Sequence, residues 1–229
     1  MKNKYCIGSH IAERKFQLIV KLFCLDIEAK KVAEITGISR QSINKIFLAI
    51  RLRIFDLCTD DCIAPSTGSF ELDESYFGAR RVRGIRGRGA RGKTIVFGLY
   101  ERNGYIRTYI VDACSTKELM PIIEDNISAD SVIYTDGFKT YDTLADVGYQ
   151  NHFVVHHGEN EFAKENGIHT NGIENFWGLC KTRLTKFRGL NKSTFYLHLK
   201  ECEFRYNYKD QNIYKILLKN FKAFPLKLS

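Results

Sequence analysis

The sequence lacks the features that mark membrane-spanning and secreted proteins. No window approaches the roughly 18 uninterrupted apolar residues that a transmembrane helix needs. The first residues, MKNKYCIGSHIAERK, contain no apolar run of the kind found in signal peptides. The seven cysteines are scattered, which fits free thiols in a reducing compartment better than a disulfide framework. We therefore expect a cytoplasmic, nucleoid-associated protein that does not bind membranes.

A zinc site is also not expected. Cys58 and Cys62 form a CTDDC pair, which is half of the ligand set of a structural zinc ion. No second close pair of cysteines follows. The alternative is that these two thiols are half-buried residues of a linker.

Positive charge is concentrated in one acid-free segment. The chain has 35 Lys and Arg, of which 7 lie in RRVRGIRGRGARGK; the other 28 nearly balance the 26 acidic residues. The basic residues of this segment are Arg80, Arg81, Arg83, Arg86, Arg88, Arg91 and Lys93. Such a patch favours binding to the phosphate backbone of DNA.

The first part of the chain has the pattern of a helix-turn-helix. Ala33, Gly37 and Ile43 have the spacing of a small residue on one helix, a glycine in the turn and an apolar residue on the next helix. Ser39 would cap that second helix. Its first turns carry Arg40, Gln41 and Asn44, side chains that can hydrogen-bond base edges and phosphates. The alternative is a three-helix bundle with a basic polar face.

Beyond a linker at residues 58–69, the pattern changes to that of an α/β domain. Asn103-Gly104 predicts a hairpin between the second and third strands. The expected elements are strands at 70–78, 94–102, 105–113, 131–136 and 152–157, and helices at 115–127, 138–148, 171–187 and 193–208. The last residues, 211–229, have the pattern of a short basic amphipathic helix followed by loose chain. This order predicts a mixed sheet with flanking helices.

Three acids from distant segments can meet on this scaffold. Asp73 lies inside the first strand, where acids are uncommon. Asp136 ends the fourth strand, at the edge where open α/β sheets bind ligands. Glu174 lies in the first turn of a late helix. Taken singly, Asp136 can be a helix N-cap and Glu174 a residue favoured by the helix dipole.

Convergence of three carboxylates has a chemical rationale. Like charges held together are unfavourable unless a cation neutralises them. Mg²⁺, or Mn²⁺, prefers oxygen ligands. Two such ions activate the attacking oxygen and stabilise the leaving oxygen of a phosphoryl transfer. The pattern therefore predicts a site for two divalent ions beside a basic, DNA-binding segment.

The sequence resembles the DDE-type transposases of bacterial insertion sequences. The segments that carry the resemblance are ELDESYFG, the Arg/Gly-rich run ending in GK, VFGLY, MPII, IYTDGF, HTNGIENFWGLCK and KECEFRYN, which together extend from about residue 70 to residue 207. The similarity is greatest to the group in which a lysine follows the last glutamate by two helical turns.

The resemblance implies a ribonuclease-H-like catalytic domain and a role for each site residue. Asp73, Asp136 and Glu174 would be catalytic metal ligands, and Lys181 the associated lysine. Asn171, Lys181 and Arg183 would contact DNA. The implied organisation is a helix-turn-helix domain at 1–57, the linker at 58–69, the catalytic domain at 70–210 and a basic tail at 211–229.

We therefore predict a transposase that binds the ends of its element, nicks them and joins them to target DNA. Because two ends must be paired, a homodimer or larger assembly on double-stranded DNA is expected. Two alternatives remain at this stage. One is a nuclease of the same fold that only hydrolyses DNA, and the other is a non-catalytic DNA-binding protein.

Overall fold

The computed structural model describes residues 3–59, 64–78, 92–102, 104–136, 141, 144–155, 169–187 and 190–228. They form two compact units, which we call the helical unit (Met1–Asp60 and Phe204–Ser229) and the sheet unit (Asp61–Glu203). None of the helices among these residues is long and apolar enough to cross a membrane.

Apart from the first and last strands, which have two residues each and were not predicted, the described elements follow the order predicted from the sequence. They are β1 (Cys6–Ile7), α1 (Glu13–Cys24), α2 (Ala29–Thr36), α3 (Arg40–Thr59), β2 (Ser69–Phe77), β3 (Thr94–Glu101), β4 (Ile106–Val111), α4 (Thr116–Asn126), β5 (Val132–Asp136), β6 (Asn151–Val155), α5 (Asn171–Leu184), α6 (Lys192–Asn207), α7 (Ile213–Ala223) and β7 (Leu226–Lys227).

The turn between α2 and α3 has the local geometry that the sequence predicts. Gly37 adopts a left-handed backbone conformation with φ of 66°, and its N–H donates to the carbonyl of Ala33 at 2.9 Å, which ends α2. The Ser39 hydroxyl then accepts the N–H of Ser42 at 3.2 Å, which caps the start of α3. Ile43 is fully buried in the core of the helical unit.

The C-terminal segment contains the amphipathic helix predicted within 211–229, but this helix packs into a core and is followed by a short strand instead of loose chain. Leu217 and Phe221 of α7 are fully buried in the same core as α1 and α3, and Leu226 is 2% exposed. β7 pairs in parallel with β1, and the Arg53 guanidinium donates to the side-chain carbonyl of Asn220 at 2.7 Å. The apolar face of α7 therefore completes the helical unit, although the whole sheet unit lies between α3 and α7 in the sequence.

This packing predicts that Phe221→Ala destabilises the protein strongly. Truncation of a fully buried phenylalanine removes its contacts and leaves a cavity, at a cost of about 3–5 kcal/mol in the free energy of unfolding. Urea denaturation followed by circular dichroism measures this cost. Phe224→Ala is the matched control, because Phe224 is 65% exposed and its loss should cost less than about 0.5 kcal/mol. Equal, small effects of both substitutions would contradict the packing.

The sheet unit contains a mixed five-stranded sheet in the order β4-β3-β2-β5-β6. β2, β3 and β4 form an antiparallel meander, whereas β5 lies parallel to both β2 and β6. The hairpin predicted at Asn103-Gly104 closes with the N–H of Gly104 donating to the carbonyl of Glu101 at 2.9 Å, while Asn103 itself lies outside the described residues.

Successive side chains of β2 point to opposite faces of the sheet, one apolar and one acidic. Phe70 and Leu72 join the core formed with α4. The next-door side chains of Glu71 and Asp73 hydrogen-bond to groups of α5, so they lie on the opposite face. One face of this strand thus builds the core, and the other presents carboxylates to α5.

One predicted element lies partly outside the described residues. A helix was expected over residues 138–148, but residues 144–148 form turns. Residues 137–140 and 142–143 lie outside the described part of the chain, as do His156 and His157 at the predicted end of β6.

Candidate active site

Asp73 and Asp136 lie on neighbouring strands at the same level of the sheet. β2 and β5 pair in parallel with Leu72 opposite Thr135, so the next residue of each strand is Asp73 and Asp136, respectively. Neighbouring strands are about 4.8 Å apart. The two carboxylates are close enough for their repulsion to raise the pKa of Asp73. The predicted convergence of these two aspartates is therefore present.

Asp73 is also held from the other side by α5. Its Oδ2 accepts a hydrogen bond from the indole Nε1 of Trp177 at 3.0 Å, and its Oδ1 accepts the N–H of Glu74 at 2.8 Å. The indole can approach because Gly98, opposite Asp73 on β3, has no side chain. A Cβ at Gly98 would lie 2.6 Å from Cζ2 of Trp177. A glycine and the single tryptophan thus orient this carboxylate.

Glu174 brings the third carboxylate to the same region. It lies in the first turn of α5, and its Oε1 accepts a hydrogen bond from the Thr170 hydroxyl at 3.1 Å. The pKa of Asp73 is raised from 3.8 to about 6, mainly by burial. The hydrogen bond from Glu74 N–H opposes this shift, Asp136 adds to it, and Glu174 contributes more weakly. All three predicted acids therefore share one electrostatic environment.

These acids have the donor chemistry that hard divalent ions require. Among the described residues, however, no three His, Cys, Asp or Glu side chains are gathered closely enough to hold one metal ion. Both oxygens of Asp73 accept hydrogen bonds in this arrangement. The residues fit Mg²⁺ in chemical type and neighbourhood, and binding it would require their side chains to converge further.

Glu74 is an acidic neighbour that sequence reasoning missed. Its pKa is raised to about 7, chiefly by burial, against the opposing effect of a hydrogen bond from the hydroxyl of buried Tyr141. Asp73 and Asp136 raise it further. The sequence signal is the third acid of ELDES, which directly follows Asp73 and therefore lies on the other face of the strand.

Glu71 is a second missed residue. It is 1% exposed, and it accepts hydrogen bonds from the side chain of Arg102 at 2.9 Å and from the N–H of Ile173 at 3.0 Å. Its position two residues before Asp73, on the same face of β2, was visible in the sequence. Its partner at the start of α5 was not, because 102 residues separate the two.

The predicted DNA-contacting residues of α5 separate into two groups. Asn171 and Lys181 are exposed, and Lys181 Nζ lies 5.9 Å from the centre of the Phe77 ring at the end of β2. Arg183 does not join them: its guanidinium forms an ion pair with fully buried Glu201 of α6 and approaches Cys202 at 3.4 Å. The predicted DNA contact of Arg183 is therefore corrected: its side chain lies inside the sheet unit, because the buried carboxylate of Glu201 needs a cation beside it.

Of the seven basic residues in the segment 80–93, the structure describes Lys93, whose side chain is half-buried. The predictions for Arg80, Arg81, Arg83, Arg86, Arg88 and Arg91 lie outside the described residues. The same is true of Cys62, so the expectation of no zinc site at Cys58 and Cys62 stays untested.

In the helical unit, Arg40, Gln41 and Asn44 are exposed on the first turns of α3, as their proposed role requires. An open groove of about 600 Å³ lies beside α1 in the same unit. It was not predicted, and its lining residues are His10, Ile11, Ala12, Arg14, Lys15, Leu18 and Ile38. The groove thus combines His10, Arg14 and Lys15 with apolar side chains.

Comparison with known proteins gives a consistent result. Residues 66–207 match the model of the ISXO2-like transposase domain. An uncharacterized transposase-like protein of Haemophilus influenzae is 44% identical over 102 residues, covering 44% of this chain and 80% of that protein. An uncharacterized protein in transposable element ISH50 of Halobacterium salinarum is 30% identical over 154 residues, covering 60% of this chain and about half (52%) of that protein.

A crystal structure of a pre-cleavage Mos1 transpososome aligns over 94% of this chain and 80% of that chain. Its sequence identity is 11% and its TM-score is 0.24, a similarity too low to indicate a shared fold.

Proposed function

Because the chain belongs to the ISXO2-like transposases of insertion sequences, we propose that it binds the terminal inverted repeats of its element, cleaves a DNA strand there and joins the freed end to target DNA. The observation that supports this most is the shared environment of Asp73, Asp136 and Glu174. These three carboxylates reach one side of the sheet from β2, β5 and α5. The mixed sheet supports the ribonuclease-H-like domain that the resemblance implies.

The three acids would hold Mg²⁺ or Mn²⁺, which would supply charge neutralisation and a more acidic attacking hydroxyl for phosphoryl transfer. The chain's own residues prepare that site. Trp177 orients the Asp73 carboxylate, and Thr170 orients that of Glu174. With a pKa of about 6, Asp73 is largely ionised at neutral pH and available as a ligand.

The exposed polar residues of α5 would guide the DNA strand. Lys181 follows Glu174 by two helical turns, about 10 Å along the axis, so its ammonium suits a phosphate next to the scissile one rather than the scissile phosphate itself. Asn171 lies in the first turn of α5, on the other side of Glu174 from Lys181, and would contact the DNA strand there.

We assign recognition of the element ends to the helical unit. Arg40, Gln41 and Asn44 at the start of α3 would read base edges as a helix-turn-helix does. His10, Arg14 and Lys15 around the groove would bind the phosphate backbone. Two ends must meet before they are joined, so a homodimer or larger assembly on DNA belongs to the same proposal.

A combined binding and strand-transfer assay tests this function. A labelled duplex carrying the inverted repeat that flanks the gene is mixed with the protein, plasmid target and Mg²⁺ or Mn²⁺. We expect specific binding, nicking and joined products, with joining lost when the transferred 3′ end lacks its hydroxyl. The doubly substituted Arg40→Ala, Asn44→Ala protein should bind the repeat at least tenfold more weakly, since each base contact contributes about 1–3 kcal/mol.

The alternatives give different results in the same assay. Nicking without joining, in both metals, identifies a nuclease of the same fold. Specific binding with neither nicking nor joining identifies a non-catalytic DNA-binding protein. Undiminished binding by the Arg40→Ala, Asn44→Ala protein removes α3 from repeat recognition and leaves the catalytic proposal standing.

A further inference from the structure

The buried carboxylate of Glu71 connects three parts of the sheet unit at one point. It accepts hydrogen bonds from Arg102 Nε at 2.9 Å and from the backbone N–H of Ile173 at 3.0 Å, and it lies 3.4 Å from Nδ1 of His169. Its side chain is 1% exposed. A carboxylate so deeply buried needs this many donors, because its desolvation is otherwise very costly.

Arg102 extends this connection to the segment that leads into α5. One of its terminal nitrogens donates to the backbone carbonyl of His169, and its guanidinium stacks on the Tyr134 ring at 3.7 Å. Arg102 follows β3, and Tyr134 lies on β5. The Glu71–Arg102 pair therefore joins β2, the end of β3 and β5 to the residues immediately before the helix that carries Glu174.

The start of α5 depends on Glu71 for its cap. Thr170 occupies the N-cap position, but its side chain forms no capping hydrogen bond and its hydroxyl donates to Glu174 instead. The N–H of Ile173 is one of the first N–H groups that an α-helix leaves without an internal partner. Glu71 supplies that partner from the neighbouring strand and places a negative charge at the positive end of the helix dipole.

A glycine allows the first turn of α5 to approach the sheet closely at this contact. A Cβ on Gly172 would lie 2.1 Å from Cε1 of Tyr100 and 3.0 Å from Oε2 of Glu71. Only glycine therefore allows the first turn of α5 to reach the sheet at this level. Glu174 follows two residues later, so a displacement of this turn displaces Glu174 directly.

We propose that Glu71, through Arg102, is a positioning residue that sets the distance of Glu174 from Asp73 and so prepares the carboxylates for strand transfer. This rests on the proposed function for its consequence in catalysis. The position of α5 itself can be tested separately, because Trp177 is the single tryptophan of the chain and lies 4% exposed less than one turn beyond Glu174.

The test compares Glu71→Gln with Glu203→Gln. Glu203 is a matched control in the same unit: it is 2% exposed, it pairs with Lys200 at 2.8 Å, and it accepts hydrogen bonds from the backbone N–H and the side-chain hydroxyl of Thr108. Three quantities are measured for each protein: melting temperature, fluorescence emission of Trp177, and the rate of strand transfer with the Mg²⁺ concentration at half-maximal rate.

Both substitutions are expected to lower the melting temperature by similar amounts. Only Glu71→Gln should shift the Trp177 emission to longer wavelength, reduce strand transfer at least tenfold and raise the Mg²⁺ concentration needed. An unchanged Trp177 emission, or equal losses of activity in both variants, overturns the proposal. A wild-type protein without strand transfer would instead refute the proposed function, while the fluorescence comparison would still decide whether Glu71 positions α5.

If Glu71→Gln does not fold, Arg102→Lys takes its place. Lysine keeps a cation beside Glu71 but cannot reproduce the fork of donors that reaches both Glu71 and the His169 carbonyl. We expect this variant to fold and to shift the Trp177 emission in the same direction by a smaller amount. An emission identical to that of the wild type overturns the proposal in this case too.

Discussion

Asp73→Asn is expected to abolish strand transfer and at the same time to make the protein more stable. The rate of strand transfer should fall by about a hundredfold to a thousandfold. This is the effect of removing about 3–4 kcal/mol of charge stabilisation from the transition state. Asn keeps the shape of Asp73 but lacks the charge that a divalent ion needs. Asp136→Asn should give a comparable loss. Binding to the terminal repeat should not change in either variant.

The gain in stability follows from the raised pKa of Asp73. Its pKa in the folded protein is about 6, against an ordinary value of 3.8. Between these values the folded state binds more protons than the unfolded state, so ionisation of Asp73 lowers stability as the pH rises from about 4 to 6. At pH 8 the full cost is present. Asn removes it, and we expect Asp73→Asn to unfold with about 1–2 kcal/mol more free energy than the wild type.

Urea denaturation at pH 8 and at pH 4 measures this difference, which should be present at pH 8 and vanish near pH 4. Asp130→Asn is the control, because Asp130 is an exposed acid of the same unit, just before β5, and its replacement should change neither stability nor activity. Undiminished strand transfer by Asp73→Asn would remove this residue from the active site. A loss of activity together with a loss of stability at pH 8 would indicate a structural role instead.

Gly98→Ala is expected to damage both packing and activity although it adds a single methyl group. The new Cβ would meet Cζ2 of Trp177 at 2.6 Å and Cδ1 of Ile173 at 3.1 Å. The indole has little room to retreat, since the Phe77 and Phe176 rings pack against it with centroids 6.0 and 5.0 Å away. Overpacking of this kind costs about 1–3 kcal/mol.

The displaced indole would also release Asp73 and move α5. A shift of about 1 Å in a catalytic group can lower a rate by about a hundredfold, so strand transfer should fall at least tenfold. Gly178→Ala is the matched control on α5 itself. A Cβ there meets nothing within 4 Å, so the substitution should stabilise the helix by up to about 1 kcal/mol and leave activity unchanged.

A second substitution tests the cause. In the Gly98→Ala background, Trp177→Phe replaces the indole with a smaller ring and should restore part of the lost stability, because the clash is removed. It should not restore full activity, since the hydrogen bond to Asp73 is lost with the indole nitrogen. If Gly98→Ala is as stable and active as the wild type, the close contact between Gly98 and Trp177 does not hold α5 in place.

Local patterns in the sequence determined most of the secondary structure. Alternation predicted the strands around Asp73 and Asp136, and helical spacing predicted α1, α3 and α5, because these periods are set by the backbone geometry of a few consecutive residues. The strand order then placed both aspartates at neighbouring positions, as predicted. The resemblance to insertion-sequence transposases was confirmed by the family match over residues 66–207.

Only the tertiary structure decided which polar residues face inward and what they contact. Glu71 and Ile173 are 102 residues apart in the chain, and Asp73 and Trp177 are 104 apart. Arg183 has the sequence pattern of a DNA contact, yet the buried charge of Glu201 on a different helix draws it inward. A short stretch of sequence specifies the face on which a residue lies and its spacing from its neighbours. The packing of distant segments decides which partner neutralises a buried charge and which side chain fills the space above a glycine.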